Sequence, residues 1–200
     1  MTPPFDISII NFFQSHLQCG FLDVFFKIFT YLGEMGIVWI VTGIVMLFFK
    51  TTRKTGLMVL IGLLVGVLVG NLFLKNVIAR PRPFQELSDI TLKISKPSGY
   101  SFPSGHTLSS FISATIIFLN HKKIGTISLV VAFIIAISRI YFAVHYLTDI
   151  LGGIVLGALQ FHSLGSSRVR QNHSGADPCQ SDQHEIRRFI GGIFRSGGFA

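Results

Sequence analysis

Five long apolar runs, over 35–49, 57–79, 104–119, 124–143 and 147–164, constrain this chain more than anything else in its 200 residues. Only Lys75, Arg139 and Asp149 interrupt them with charge. Half the residues are hydrophobic, 13% are charged and the mean hydropathy is +0.60. A water-soluble domain carries roughly a quarter charged residues, so one soluble core cannot enclose these runs. They are read as membrane helices: a hydrocarbon layer about 30 Å thick needs about 20 helical residues, and fewer where flanking side chains snorkel.

Upstream, 5–17 mixes apolar residues with Asp6, Asn11, Gln14 and His16 and reads as an interfacial helix. The stretch 21–32 is apolar apart from Asp23 and Lys27 and reads as a helical element that crosses, re-enters or lies flat. Gly33-Glu34-Met35-Gly36 breaks it from the next run. The expectation is an all-α, polytopic bundle of five or six spans over 1–164, with 1–33 interfacial or partly inserted. After Leu164 the sequence turns polar, and 165–200 reads as a disordered cytoplasmic tail. Glycines at 62, 66 and 70 mark a close-packing helix face.

The formal net charge of +8 does not point to nucleic acid, because the cations sit at the ends of apolar runs, where they meet headgroups or fix topology. Cys19 and Cys179 show no CxxC spacing and indicate no disulfide framework. The N-terminus lacks the basic region of a cleavable signal, so the apolar segments themselves are expected to direct insertion. Lys50, Arg53 and Lys54 in one loop, and Lys122 and Lys123 in another, place those loops on the cytoplasmic side. The segments 80–103 and 139–146 then face outward.

Those outward segments hold the residues suited to chemistry. Lys75 and Arg82 can face one anion, the first as a point charge and the second as a planar fork. Arg80, taken alone, reads as a headgroup-snorkelling residue. Ser104 is a natural N-cap, and beyond it Gly105 and free backbone N–H groups suit a phosphate oxygen. His145 and Asp149 lie four apart, on one face if helical, so the carboxylate can orient the imidazole as a nucleophile. His106 is a second imidazole, able to donate a proton. Cations beside the histidines disfavour a divalent metal, and no cofactor is expected.

Lys75-x6-Arg82-Pro83, Pro103-Ser104-Gly105-His106 and Ser138-Arg139-x5-His145-x3-Asp149 together resemble the three-part signature of the type 2 phosphatidic acid phosphatase family. The likeness spans roughly 70–155, and the chain is similar to the family's bacterial members. It implies a six-helix membrane fold shared with the vanadium haloperoxidase superfamily and an active site facing the periplasm or cell exterior. It also implies metal-free hydrolysis of a lipid phosphate through a phosphohistidine. By the same resemblance His145 is the nucleophile, Asp149 its orienter and His106 the general acid. Lys75, Arg82, Ser104, Gly105 and Arg139 hold the phosphoryl oxygens. Undecaprenyl diphosphate, phosphatidylglycerol phosphate and phosphatidic acid are the candidate substrates. The alternatives are a lipid phosphotransferase of the same fold and a non-catalytic anion-binding or transport protein. The departures from the family are the polar tail and the polar Gln160 and His162 in the last run.

Overall fold

The computed structural model describes residues 2–87 and 90–169, with backbone alone for 161–169. The described residues contain helices and no strand. In order they are α1 (Pro4–His16), α2 (Gly20–Leu32), a 3-10 turn (Glu34–Gly36), α3 (Ile37–Leu47) and α4 (Arg53–Gly66). A wider π-type stretch (Val67–Leu74) leads into α5 (Lys75–Ile78), followed by α6 (Pro83–Glu86), α7 (Gly105–Asn120), α8 (Lys122–Tyr141) and α9 (Leu147–Val169). The segment 170–200, with Cys179 and most of the expected tail, lies outside the described residues.

These elements begin and end where punctuating residues put them. Pro4 opens α1, where its missing N–H costs nothing. Met35 at φ 50 and Gly36 at φ 69 turn the chain between α2 and α3. The two helical stretches on either side are bent by 43°. Ser104 caps α7, accepting from the Thr107 N–H at 3.5 Å and from the Thr107 hydroxyl at 3.0 Å.

The central element is α7. It buries Leu108, Phe111, Ile112, Ala114, Ile116 and Ile117 against α8, α4 and α3. Of its buried serines, Ser110 accepts from Trp39 Nε1 at 2.9 Å, whereas Ser113 Oγ has no hydrogen-bond partner among the described residues. The small-residue face of α4 and of the π-type stretch after it packs on α7. A Cβ at Gly62 would meet Ile112 Cγ2 at 2.9 Å, one at Gly66 would meet Ile112 Cδ1 at 2.5 Å, and one at Gly70 would meet Leu108 Cδ2 at 2.2 Å.

The outer surface is inverted relative to a soluble protein. Val24, Ile44, Leu64, Leu72, Ile127, Val130, Val155 and Leu159 are among many large apolar side chains left exposed. Soluble monomers rarely expose contiguous apolar patches beyond a few hundred Å², so this surface fits a hydrocarbon surround. By length and composition two helical stretches can cross a bilayer, Arg53–Glu86 and Lys122–Tyr141, with mean hydropathies of 2.7 and 2.1. They become three if the bent pair Gly20–Leu32 and Glu34–Leu47 is one span. Of the other apolar helices, α3 is shorter than its run in the sequence, α7 matches its run, and the apolar stretch Leu147–Gln160 is too short to cross alone.

Both lysine-rich loops lie at one end, where Thr55 Oγ1 and His121 Nε2 are 3.1 Å apart. Since α7 runs away from Gly105 to that end and α8 returns to Tyr141, the three motif segments gather at the opposite end.

Among the described glycines, the one with least room is Gly125 near the α7–α8 turn, where a Cβ would fall 2.0 Å from Phe118 Cα, whereas one on Gly20 meets nothing within 4 Å. Gly125→Ala should therefore lose about 1–3 kcal/mol through overpacking, read as a lower melting temperature in detergent, while Gly20→Ala leaves it unchanged. Equal melting of the two variants would contradict this packing.

Candidate active site

Arg80 and Arg82 flank Pro81 just beyond α5, where Ala79, at φ 48, ends the helix in a left-handed turn. A left-handed non-glycine residue is uncommon, and here it aims the two guanidinium groups at different partners.

Arg82 is 3% exposed. Its Nε donates to the Gly99 carbonyl at 2.8 Å, Nη2 to the Ser98 carbonyl at 3.0 Å and Nη1 to the Val144 carbonyl at 3.0 Å. Nη1 also lies 3.2 Å from His145 Nε2. The guanidinium is thus fixed by backbone dipoles, and among the described residues no carboxylate forms an ion pair with it.

Arg80 does not snorkel to headgroups. Its Nη1 pairs with Asp149 Oδ1 at 2.7 Å and its Nη2 with Asp6 Oδ2 at 2.8 Å. Its Cζ sits 4.0 Å over the centre of the Tyr146 ring. Two buried carboxylates offer a cation far more than an interface does, so the side chain turns inward.

His145 and Asp149 do not share a helix face. His145 lies in the turn before α9, downstream of Ala143 at φ 50. Asp149 is the third residue of α9, and its Oδ2 folds back to accept the Tyr146 N–H at 2.9 Å, an N-terminal capping interaction. This brings Asp149 Oδ2 to 3.6 Å from His145 Nδ1. Ser101 fills the remaining space, donating to Asp149 Oδ2 at 2.5 Å while its Oγ lies 3.4 Å from His145 Nδ1. Ser101 was not singled out in the sequence. Burial, reinforced by the Arg82 and Arg139 charges, pushes His145 well below the ordinary imidazole range, with Asp149 opposing. The ring is therefore neutral near pH 7, and an Nε2 that accepts from Arg82 places the proton on Nδ1, facing Asp149 and Ser101.

The other motif residues meet at a cavity of about 650 Å³. Lys75, Arg82, Gly105, His106 and Arg139 line its polar end, and Ile40, Leu60, Leu63, Leu64 and Val67 line its apolar side. Ser104, His145 and Asp149 do not line the cavity, and His145 touches the lining residue Arg82 through Nε2. Gly105 cannot carry a side chain, because a Cβ would meet Asn71 Oδ1 at 2.9 Å. Arg139 donates through Nη1 to Thr30 Oγ1. Of the four buried side-chain polar atoms without a hydrogen-bond partner among the described residues, Asn71 Oδ1, His106 Nε2 and Arg139 Nε belong to residues lining this cavity, and Ser113 Oγ does not. Buried orphan polar atoms are rare outside functional sites. His106 Nε2 is also 3.6 Å from Glu34 Oε2, a carboxylate the sequence reading treated only as part of a helix break. Among the described residues no group of three His, Cys, Asp or Glu is arranged to hold a metal ion.

The sequence pattern of the PAP2 superfamily matches residues 55–164. Undecaprenyl-diphosphatase of Sulfolobus acidocaldarius is 34% identical over 122 residues, covering 60% of this chain and 59% of that protein. Bacitracin transport permease protein BcrC of Bacillus licheniformis is 35% identical over 132 residues, 64% of each. The chain thus spans about three fifths of the length of these relatives. Among solved structures, the phosphatidylglycerolphosphate phosphatase of PAP2 type from Bacillus subtilis superposes with a TM-score of 0.68 at 28% identity, covering 85% of this chain and 87% of that one.

A depressed imidazole pKa has a signed consequence. In the unfolded chain the ring titrates near 6.5, so acid favours unfolding increasingly as pH falls below that value, because the folded ring resists protonation. Histidine-labelled protein should show a ring with neutral ¹⁵N shifts at pH 5.5 that disappears in His145→Gln. A ring titrating near 6.5 would contradict the buried geometry.

Proposed function

The chain belongs to the PAP2 superfamily, and we propose on that basis that it is an integral membrane phosphatase acting on a lipid phosphate or lipid diphosphate through a phosphohistidine. Undecaprenyl diphosphate, phosphatidylglycerol phosphate and phosphatidic acid are its candidate substrates. The observation that carries the reading is the amphipathic cavity: its polar end combines Lys75, Arg82 and Arg139 with His106, and an apolar wall lies beside it. A phosphorylated headgroup and the first part of its lipid tail fit those two surfaces together.

In this reading the phosphoryl group enters against Arg82, whose hydrogen bond to His145 Nε2 gives way to bonds with phosphoryl oxygens. The Nε2 lone pair attacks phosphorus, the N–P bond forms and the P–O bond to the lipid breaks. His106, whose Nε2 lies 3.6 Å from Glu34 Oε2, transfers a proton to the departing oxygen. Asp149 and Ser101 hold the Nδ1 side and stabilise the charge the ring acquires. Lys75, Arg82, Arg139 and the free N–H groups at the start of α7 bear the negative charge of the transition state. Water then attacks phosphorus, giving its proton to His106, and the N–P bond breaks to release inorganic phosphate.

The same reading gives the chain five or six spans, counting the shorter apolar helices within the bundle. The lysine-rich end faces the cytoplasm and the cavity faces the periplasm or cell exterior.

The test is phosphate release from the three lipids by purified protein in detergent, paired with His145→Ala. The variant should lose activity by at least about a thousandfold while melting at a similar temperature, and acid-labile labelling from ³²P-lipid should vanish with it. An equally active variant would overturn the histidine mechanism. Arg82→Ala should lower kcat/KM by roughly a hundredfold or more, and an unchanged value would remove Arg82 from phosphate binding.

A further inference from the structure

The family match begins at residue 55, yet the carboxylate that orients His145 is held through a residue far upstream of it. Asp6, in the first turn of α1, is 0% exposed. Its Oδ1 accepts the Thr148 N–H at 3.0 Å, and its Oδ2 accepts the Thr148 hydroxyl at 2.5 Å and Arg80 Nη2 at 2.8 Å. The other Arg80 nitrogen, Nη1, reaches Asp149 Oδ1 at 2.7 Å and Thr148 Oγ1 at 2.6 Å.

We propose that Asp6 is a positioning residue of the active site, sharing the Arg80 guanidinium with Asp149 and so setting both the aim and the effective charge of the carboxylate that faces His145. The inference rests on the reading of His145 as nucleophile and extends the working site to α1.

The physical reason is the division of one positive charge between two buried carboxylates. With Asp6 present, Arg80 gives Asp149 one nitrogen, bound at Oδ1, and leaves Oδ2 to Ser101, the Tyr146 N–H and the His145 ring. The cluster of Asp6, Arg80 and Asp149 carries a net negative charge, which favours the positive charge that develops on His145 during attack. Neutralising Asp6 frees the second nitrogen, and a guanidinium prefers two parallel bonds to one carboxylate. Arg80 is then expected to take Asp149 as a fork, draw Oδ2 away from Nδ1 and cancel the charge that supports the imidazolium. The phosphate-facing cations are untouched, because neither Lys75, Arg82 nor Arg139 bonds to Asp6. A cost in kcat with little change in KM follows, whereas simple loosening of α1 would lower the amount of folded protein and leave its kcat per active site alone.

The experiment uses full-length protein in detergent, with undecaprenyl diphosphate and phosphatidylglycerol phosphate as substrates and active sites counted by the ³²P-phosphoenzyme. Asp6→Asn should lower kcat per active site by roughly 10–100-fold, the range in which partners one layer removed from a reacting group act, with KM within about threefold of wild type. In an Asp149→Asn background the same change should cost less than about twofold more, since its target is gone. Should Asp6→Asn fail to fold, Thr148→Val keeps both carboxylates and the arginine while removing the hydroxyl that links them, and kcat should again fall severalfold at constant KM. Wild-type kcat per site in whichever of these variants folds, or a full additional loss in the Asp149→Asn background, overturns the proposal. A wild type that releases no phosphate from either lipid and forms no phosphoenzyme overturns the nucleophile reading first and this inference with it.

Discussion

The polar end of the bundle depends on a guanidinium whose charge is satisfied in hydrogen bonds but not neutralised. Arg82 donates to three backbone carbonyls, two from the loop before α7 and one from the turn before α9, and it is 3% exposed. Burying an ion costs several kcal/mol unless polar groups replace its water. Carbonyl dipoles do so without bringing an opposing charge, so Arg82 stays available to an anion while tying two loops together. Arg80, two residues earlier, is spent on Asp6 and Asp149. Pro81 and the left-handed Ala79 separate these fates: one arginine stabilises carboxylates, the other stays electropositive.

Much of this was legible in the sequence. Apolar runs marked five of the helices to within a few residues, because a membrane surround demands near-continuous apolar side chains. The three motifs named the cations, the histidines and the capped start of α7, since each sits at a helix end where loop punctuation is visible. What escaped was tertiary. Asp6 meets Arg80 across 74 positions, and Ser101 meets Asp149 across 48. Nothing local distinguishes Asp6 from an ordinary first-turn carboxylate or Ser101 from a loop serine, and Glu34 reads as part of a glycine-flanked break. The assumption that residues 145 and 149 share a helix failed for a related reason. Helical spacing was extended one turn too far, past a backbone N–H that Asp149 itself caps.

The span count shows a second limit. An apolar run need not be a full crossing: α3 and α7 form helices of 11 and 16 residues, below the length that spans a hydrocarbon layer unaided. Two stretches meet the length and hydropathy needed to cross alone, and a third does so if a 43° bend is allowed within it. The others draw their stability from packing on α7, the most enclosed helix, as well as from lipid. The exposed apolar side chains on α2, α3, α4, α8 and α9 and the buried serines of α7 are one pattern seen from two sides.

Helix direction adds a final electrostatic step. Both α7 and α9 begin at the polar end, presenting unpaired N–H groups and the positive ends of their dipoles. Gly105 and His106 open the first of these helices, and Asp149 lies in the first turn of the second. The carboxylate absorbs the field of α9 through its bond to the Tyr146 N–H, while α7 has no acidic residue in its first turn. The two helix starts therefore differ in what they leave over. That of α9 is neutralised and serves to fix His145, whereas that of α7 remains positive beside Lys75, Arg82 and Arg139 on the cavity wall. Placing the anion-attracting groups on the open side and the anionic group behind the histidine creates a gradient along the line from cavity to carboxylate. In the proposed mechanism a phosphoryl dianion is drawn toward the first and a developing imidazolium is held by the second.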